Sequence, residues 1–471
     1  MLTFSDLQKC GDNSQLRLQF VENAISEHIH SPEYKTAEIA ELYFKHRSPD
    51  IAAVEKFIYD LRGMAHKDVI NPNHKLGNNR YYAIITESVS YLLGNGVTFN
   101  DSNVKDRLGS DFDDILMDIL TDAENSGVSY GYFDGDKLMK FAFKEFKAIP
   151  DDYTSEIRAG VRFTQIDKQK PLMATLYEED GYTEYKQELD EEGNPKPLEQ
   201  VSEKRPYETK MYKDEYGVYS ESVYQYSTLP IYPLYNRNNQ SEIVGNRETL
   251  AALDLMQSQL INNTAQGEFI YWILKNFGGM DDVADSNFII NTLKSHIIHI
   301  DDDGEAIPHQ MTVPVQASES SIAMLNDKLN DDMMSMQTKT LRAGNVTATE
   351  IKQAYAPLRL KTSAIESNVR RFIKGILNIA GIDTKEAFSF QYDEPINKAE
   401  ELQLMVQAAQ YLSEDVVTRQ ICTILGLIDE YDEIQKQKSA DDLSVVKVVN
   451  DDAQKIISGV PNDENTPADG E

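Results

Sequence analysis

An acidic cluster and three histidines lie close together in the second half of the chain, where a metal site is conceivable. The run from Asp301 to Glu305 (DDDGE) is similar to the start of a calcium-binding loop, but it lacks alternating ligand spacing and a distal glutamate. His296, His299 and His309 lie in or beside the same predicted hairpin. Because metal ligands must converge from separate elements, ordinary turn and sheet residues are the favoured interpretation. A metal-dependent enzyme, a nuclease or hydrolase using these aspartates, stays as an alternative.

Other motifs for chemistry are not recognisable in the sequence. Gly278 and Gly279 precede Met280, whereas a phosphate-binding loop requires Lys followed by Ser or Thr, and no G-x-S-x-G pattern occurs. His28 and His30 would diverge on a helix, which is the expected local structure, so a metal pair is disfavoured. We therefore predict that the protein is not an enzyme and has no catalytic residue, cofactor or bound metal.

Composition restricts the classes of partner. The 471 residues carry a formal net charge of −32, and 41% of them are hydrophobic. A protein that grips DNA through its phosphates needs an excess of Lys and Arg, so this class is excluded. The two cysteines, Cys10 and Cys422, are far apart in the chain, which fits a reducing compartment. Without a signal peptide or an apolar run of about 20 residues, a soluble intracellular protein with no membrane partner is expected.

The first 125 residues predict helices. Ser31 followed by Pro32 is typical of an N-cap and first helical position, and Arg80–Leu93 and Phe112–Glu124 are further apolar segments. From there to residue 228 the period changes to two, with turn residues between β-rich stretches. This pattern predicts an antiparallel meander. Its acidic excursion, residues 178–205, is interpreted as a solvated hairpin tip.

Two long helices are predicted around a small domain. The first covers Glu242–Ala265 and the second Ser320–Leu341, with Met324, Met333, Met334 and Met336 on the second as adaptable packing residues. Between them, the apolar stretches Phe288–Ile300 and Ala306–Val315 flank the turn at residues 301–304.

A third helix of more than thirty residues follows a short link. Thr347 and Glu350 form a capping-box pattern at its start, and Ala380-Gly381 marks its end. Pro357 removes a backbone hydrogen bond inside this helix and predicts a kink. A strand at Phe388–Tyr392, two more helices and an acidic, disordered tail from residue 451 complete an α+β chain that is predominantly helical.

Several different short patterns occur in a fixed order along residues 73–433. In chain order, they are Asn73–Leu76 leading to Tyr91–Gly94, Gly127–Asp134 with Lys147–Pro150, Leu229–Asn246, Gly344–Lys352, Tyr411–Ser413 and Leu427–Glu433. Together they resemble the portal (head-to-tail connector) proteins of tailed bacteriophages, in the siphophage branch typical of Gram-positive hosts. The chain has Asn345-Val346-Thr347 where that branch often has Ser-Gly-Val.

The resemblance implies a portal fold of wing, stem, clip and crown that assembles into a ring, typically of about twelve subunits. The implied parts are a wing (1–240), a stem helix (241–265), a clip (266–319), a second stem helix (320–341), a tunnel loop (342–349), a kinked helix and return strand of the wing (350–395), a crown (396–450) and a tail (451–471).

The same resemblance implies a site and partners. Double-stranded DNA would pass without sequence specificity, and the terminase large subunit, the head-completion adaptor, and the major capsid and scaffolding proteins would bind. The location implied is one vertex of the virion capsid, after assembly in the host cytoplasm. Another oligomeric capsid-assembly protein stays as an alternative. The implied site residues are the tunnel-loop residues Arg342, Gly344, Asn345, Val346 and Thr347, the channel-facing stem acids Asp327, Asp331 and Asp332, and the helix kink at Pro357.

Overall fold

The computed structural model describes most of the chain up to residue 392 and a shorter part after it. The described residues are 2–59, 63–69, 71–101, 103–167, 169–190, 192–213, 219–224, 226, 228–267, 270–275, 305–310, 314–337, 348–383, 385, 388–392, 405–425 and 431. The chain divides into two units, of which the first contains residues 1–346 and 352–393 and the second residues 347–351 and 394–471.

Helices and strands alternate in blocks. The helices are α1 (Phe4–Cys10), α2 (Ser14–Ile29), α3 (Pro32–Phe44), α4 (Pro49–Ala52), α5 (Arg80–Leu93), α6 (Asn103–Leu108), α7 (Phe112–Ser126), α8 (Arg247–Gly267), α9 (Val315–Asp332), α10 (Ala348–Ile379) and α11 (Glu414–Leu425). The strands are β1 (Phe57–Tyr59), β2 (Ala65–Lys67), β3 (Val97–Phe99), β4 (Val128–Phe133), β5 (Leu138–Phe141), β6 (Phe146–Pro150), β7 (Ile157–Thr164), β8 (Leu172–Glu178), β9 (Gly181–Gln187), β10 (Glu199–Gln200), β11 (Glu208–Lys213), β12 (Tyr219–Tyr224), β13 (Ile231–Tyr235), β14 (Ile270–Lys275), β15 (Glu305–Gln310) and β16 (Phe388–Phe390).

The predicted meander is confirmed as an antiparallel sheet. Its strand order is β10-β9-β8-β7-β6, and β4 lies between β13 and β5 in a separate three-stranded sheet. Strands β1 and β2, β11 and β12, β14 and β15, and β3 and β16 form two-stranded pairs. The first 125 residues are therefore not purely helical, because β1, β2 and β3 interrupt the helices.

Local signals explain several helix ends. The Ser31 side chain accepts a hydrogen bond from the Tyr34 backbone N–H, and Pro32 occupies the first turn of α3, as predicted. Helix α7 ends at Gly127, which has a φ of 92° in the left-handed region that glycine tolerates. The apolar segment Arg80–Leu93 is one helix, α5, with the predicted bounds.

The main hydrophobic core of the first unit forms between α5, α7 and α10. Ile365, Val369 and Phe372 of α10 are fully buried in the same cluster as Leu116 and Ile119 of α7. Helix α10 also approaches the three-stranded sheet closely. A Cβ atom on Gly375 would lie 2.6 Å from the Tyr232 ring of β13, so this approach requires glycine.

The first long helix begins later than predicted. Residues 242–246 form turns rather than helix, and α8 begins at Arg247. Gly245 has a φ of 83°, which a right-handed helix cannot contain. The Glu242 backbone N–H instead donates to the Glu124 carbonyl oxygen at 2.9 Å. A contact with a distant helix therefore replaces a local turn of helix.

The second long helix begins five residues before its predicted start and ends nine residues before its predicted end. It covers Val315–Asp332, and Met334 with a φ of 52° is outside helical geometry. Met333, Met334 and Met336 therefore lie beyond its end, so their predicted place on the helix was wrong. Met333 is nonetheless buried in the main core, as a packing residue should be.

The strand that follows the predicted turn at residues 301–304 pairs with a different segment from the one predicted. Strand β15 pairs antiparallel with β14, so that Trp272 lies opposite Pro308 and Ile273 opposite Ile307. The prediction overlooked residues 270–275 as a strand and as the partner of β15. The stretch 288–300 and the turn itself lie outside the described residues.

In the second unit, the predicted helix after Ser413 is confirmed as α11. Tyr431 donates a hydrogen bond to the Asp415 carboxylate, and the Arg419 guanidinium lies 6.0 Å from the Tyr431 ring centroid. The helix predicted from Asn397 and the tail from residue 451 lie outside the described residues.

Candidate functional site

The two long helices α8 and α9 pack against each other, and α9 carries the acids singled out by the sequence. Asp331 and Asp332 are exposed at its C-terminal end, and Asp327 is half-buried one turn earlier. Lys328 forms an ion pair with Asp332 one turn along the helix. The three acids therefore lie together on one short segment, and their orientation toward a channel stays a prediction.

Residues 342–347 of the predicted tunnel loop lie outside the described residues, whereas its last two, Ala348 and Thr349, begin α10, so their assignment to a loop was wrong. Arg342, Gly344, Asn345, Val346 and Thr347 all precede the first described residue of α10, which is Ala348. The helix after this loop is confirmed, and it continues through Pro357 without a break. The kink at Pro357 stays a prediction.

A polar strap ties α8 to the extended segment before α5. Asp254 Oδ1 accepts a hydrogen bond from the Asn78 backbone N–H at 2.7 Å, and Ser258 Oγ accepts one from the Leu76 N–H at 2.9 Å. One turn further, Asn262 Oδ1 accepts from the His74 N–H at 2.7 Å, and its Nδ2 donates to the His74 carbonyl oxygen at 3.1 Å.

In this strap, side chains of α8 accept backbone hydrogen bonds as a neighbouring strand would. Its three helical residues are four apart and buried, and they satisfy alternate N–H groups of an extended backbone. Burial raises the pKa of the Asp254 carboxyl. The sequence shows Asp254, Ser258 and Asn262 at a spacing of four, which indicates one polar stripe along the helix. The prediction for this helix used only its apolar residues and therefore did not include the stripe.

The first turn of α8 is also anchored. Arg247 donates to both carboxylate oxygens of Asp50, at 2.9 and 2.7 Å. This hydrogen-bonded pair holds the pKa of Asp50 below its usual value. Arginine at a helix N-terminus opposes the helix dipole, and the Asp50 carboxylate offsets that charge.

The end of α9 is held by α5. Glu87 accepts a hydrogen bond from the Met336 backbone N–H at 3.2 Å, and Arg80 donates to the Asn330 side chain. Gln337 then donates its backbone N–H to the Ala354 carbonyl oxygen of α10 at 3.0 Å. Both long helices are therefore attached to the main core.

A buried ion triad joins α7, α10 and the turn before α8. Lys361 Nζ lies 3.2 Å from Glu242 Oε2 and 3.6 Å from Glu124 Oε2. The side chains of Lys361 and Glu124 are completely buried. Ser88 Oγ contacts both Glu124 oxygens, at 2.8 and 2.6 Å, and Asn236 Nδ2 donates to Glu242 Oε1 at 3.0 Å.

The charges of the triad do not cancel. Burial raises the pKa of the Glu124 carboxyl to about 7, against the opposing effect of Lys361. Burial alone would lower the pKa of the Lys361 ammonium, but the two carboxylates outweigh it and raise that pKa. Lys361 thus stays charged at neutral pH. The Glu124 carboxyl takes up a proton as the pH falls through about 7.

The arrangement can hold helices in place, and no catalytic constellation is evident in it. In the part of the chain that the structure describes, no group of three or more His, Cys, Asp or Glu side chains is placed to hold a metal ion. His28 is buried and bonds the Phe143 carbonyl oxygen at 2.7 Å, whereas His30 is exposed and bonds the Ser26 carbonyl oxygen. Burial lowers the pKa of His28 to about 4. None of the described helices is both long and apolar enough for a membrane span.

Comparison with known proteins gives consistent matches. Residues 24–442 match the family described as phage portal protein, SPP1 Gp6-like. A portal protein of Bacillus phage SPP1 is 22% identical over 348 residues, covering 68% of this chain and 65% of that protein. A portal protein of Clostridium phage phiCD119 is 21% identical over 380 residues, covering 71% of this chain and 80% of that protein.

Solved structures that align with this chain include chains of gene transfer agent (GTA) particles. A chain from the neck of a native GTA particle, computed with C12 symmetry, aligns with a TM-score of 0.42 at 9% identity, covering 73% of this chain and 89% of that chain. A chain from the virion of a native gene transfer agent particle aligns with a TM-score of 0.42 at 10% identity, covering 74% of this chain and 90% of that chain.

Proposed function

Because this chain belongs to the phage portal protein family of the SPP1 Gp6-like type, we propose that it forms a ring at one capsid vertex, through which double-stranded DNA is packaged and ejected. The observation that carries this proposal is the extent of the family match, residues 24–442, which includes both long helices and α10. The chain spans 65% of the length of the SPP1 relative. The ring, the passage of DNA and the protein partners are therefore proposals, and they are supported by the residues of this chain and by the family match.

The parts of the proposed subunit follow the order of the described elements. Helices α8 and α9 are the stem, and the segment between them, which contains β14 and β15, is the clip. The wing comprises the core and sheets before α8 together with α10 and β16. Residues 342–347, directly before α10, form the tunnel loop, and residues 396–450 form the crown.

The proposed mechanism is electrostatic guidance without bond chemistry. Acids Asp327, Asp331 and Asp332, repeated around a ring, repel DNA phosphates and keep the duplex centred and mobile. Arg342 and Asn345 of the loop make transient contacts with the DNA. The terminase large subunit supplies the energy, and the clip binds first the terminase and then the head-completion adaptor.

The strap and the buried triad serve this mechanism as anchors. They connect the stem helix α8 to the wing segment at residues 74–78 and, through Glu242, to α10. Force exerted on the channel wall is thereby passed to the wing, which contacts the major capsid and scaffolding proteins. Assembly takes place in the host cytoplasm, and the mature ring is part of the virion.

Electron microscopy of the purified full chain tests the proposal. We expect closed rings with a central hole wide enough for a DNA duplex, which is about 20 Å across, with about twelve subunits. A monomer at micromolar concentration, or a closed shell, would overturn the proposal. Calorimetric titration with Mg²⁺, Mn²⁺ and Ca²⁺ addresses the enzyme alternative, since a metal-dependent nuclease requires specific binding of one of these ions.

A further inference from the structure

The solvent-facing side of α10 is basic, although the chain as a whole is strongly acidic. Lys352, Arg359, Arg371 and Lys374 are exposed, and their spacing places them on one broad face of the helix. Between residues 352 and 378 of this helix, no exposed position is Asp or Glu. Among the described residues, none of the four has a carboxylate partner within ion-pair distance. We call these four residues the basic face.

The exposed side of α7 carries the opposite charge. Asp111, Asp114 and Asp118 are exposed and are spaced by three and four residues, so they follow one helical face. Asp118 lies 3.8 Å from Lys140, and within the described chain Asp111 and Asp114 have no cation at ion-pair distance. We call these three residues the acidic face.

The two faces match in spacing. Arg371 and Lys374 are three residues apart, as are Asp111 and Asp114, so each pair is separated by about 4.5 Å along its helix axis. Because one pair is cationic and the other anionic, two charge pairs can form at the same time when the helices meet. Carboxylates and guanidinium or ammonium groups at this spacing give complementary potentials.

Both faces point away from the protein interior. The buried sides of α7 and α10 contribute to the same hydrophobic cluster, with Leu116 and Leu120 on α7 and Val369 and Phe372 on α10. The charged sides are therefore on the outside of this packed layer. They are available to another molecule instead of to each other.

We propose that the basic face of α10 in one copy docks on the acidic face of α7 in the neighbouring copy. The contact joins two different surfaces of the same chain, so it is heterologous, and a heterologous contact closes into a ring when its rotation allows. This inference rests on the proposed ring and identifies the surfaces that hold it together.

A second copy fits the basic face better than DNA does. The chain carries a net charge of −32, so a polyanion approaching α10 meets a repulsive field from the rest of the molecule. A neighbouring copy presents localised carboxylates with matching spacing. The DNA alternative becomes an outcome of the test.

The test uses two charge-reversed versions of the full chain. The first carries Arg371→Glu and Lys374→Glu, and the second carries Asp111→Lys and Asp114→Lys. Asp111 is the N-cap of α7 but makes no side-chain capping hydrogen bond, so its replacement removes no cap. In each version alone, every contact of the proposed kind would bring like charges together. In an equimolar mixture, alternating subunits would restore opposite charges at every contact.

Native mass spectrometry and electron microscopy at about 50 mM salt give the readout. We expect wild-type rings, a rise of about tenfold or more in the concentration needed for assembly of either version alone, and rings with even subunit numbers in the mixture. The control matched to the first version carries Lys35→Glu and Arg47→Glu, which make the same charge change on exposed positions elsewhere. It should assemble like the wild type.

The outcomes separate this inference from the proposed function. If the wild type and both reversed versions form rings equally well, or if mixing does not restore assembly, the contact is wrong while the ring stands. If the wild type forms no ring, the proposed function and the contact both fail. If the first version assembles normally and only loses retention of a DNA duplex in a mobility-shift assay, the basic face binds DNA, and the inference is overturned.

Discussion

Lys361 lies between two glutamates in a site from which water is excluded. Its ammonium is 3.2 Å from Glu242 and 3.6 Å from Glu124, and its side chain is fully buried. Removing one partner from a buried ion pair costs more than the pair contributes, because the remaining charge stays desolvated. The triad therefore fixes the relative position of α7 and α10 more strictly than hydrophobic packing alone would.

Replacing Lys361 by methionine should destabilise the protein. Two buried carboxylates would be left without a cation, and we expect a loss of about 3–5 kcal/mol in the free energy of unfolding. Urea unfolding followed by circular dichroism measures this loss. Lys35→Met, at an exposed position of α3, is the matched control and should change the free energy by less than about 0.5 kcal/mol. Equal urea midpoints for the two variants would show that the triad is not a stabilising contact.

Glu124 should make stability depend on pH. Its pKa is raised to about 7 in the folded protein, above the ordinary value of 4.5, so the folded state holds a proton that the unfolded state releases. This contribution is full below about pH 4.5 and is lost as pH rises through about 7. From about pH 5 to about pH 8, Glu124→Gln should therefore gain up to about 3 kcal/mol relative to the wild type.

Urea unfolding at several pH values measures this relative gain. Glu33→Gln, at an exposed position in the first turn of α3, is the matched control for the loss of one carboxyl group. If the difference between Glu124→Gln and the wild type stayed constant with pH, Glu124 would not be the group that takes up the proton.

At the scale of elements, the position of α8 depends on polar side chains. Asp254, Ser258 and Asn262 replace a neighbouring strand for the backbone of residues 74–78. Such bonds tie a partly exposed backbone segment to the buried polar side chains of α8. Helix α8 is consequently held in register with residues 74–78 along about two turns.

Replacing Ser258 by alanine should loosen this strap at one point. The Leu76 N–H would lose its acceptor, at a cost of about 0.5–1.5 kcal/mol because this residue is partly exposed, and its hydrogen exchange should accelerate by about threefold to tenfold. Hydrogen exchange with mass spectrometry or NMR detection measures the rate. Ser321→Ala on α9, where the hydroxyl bonds only its own helix, is the control. An unchanged rate at Leu76 would mean that the strap does not hold this segment.

On the scale of the whole molecule, the net charge matters most when copies assemble. In a ring of about twelve copies, a charge of −32 per chain sums to roughly −380, a strong field for any polyanion inside it. The acidic surface that excludes a DNA-gripping protein is therefore suited to a protein that conducts DNA. The local exception, the basic face of α10, is where a neighbouring acidic surface can be accepted.

Reversing the exposed acids at the end of α9 should impede DNA movement. With Asp331→Lys and Asp332→Lys, the proposed repulsion of DNA phosphates by this segment becomes attraction, and we expect the amount of packaged DNA to fall by about tenfold or more. In vitro packaging with nuclease protection measures the yield. Asp12→Lys with Glu33→Lys makes the same charge change at exposed positions outside the stem. If both variants packaged DNA like the wild type, the stem acids would have no role in guidance.

The sequence by itself determined the types and order of most elements. Helices α3, α5 and α10 follow from capping residues and apolar segments that lie in or beside each helix. Strands β7–β9 follow from an alternation of period two. The family was predictable as well, because short patterns in a fixed order survive even where identity falls to 22%. Such local signals act through the backbone of neighbouring residues and need no knowledge of distant contacts.

Only the tertiary structure decided where helices stop and which polar residues meet. Helix α8 begins at Arg247 because the backbone of Glu242 bonds α7, more than a hundred residues earlier. The Ser258 strap joins residues 182 apart, and the triad joins three segments that carry no common pattern. The energy of burying charges and N–H groups depends on what the folded chain brings beside them, so no local spacing can state it in advance.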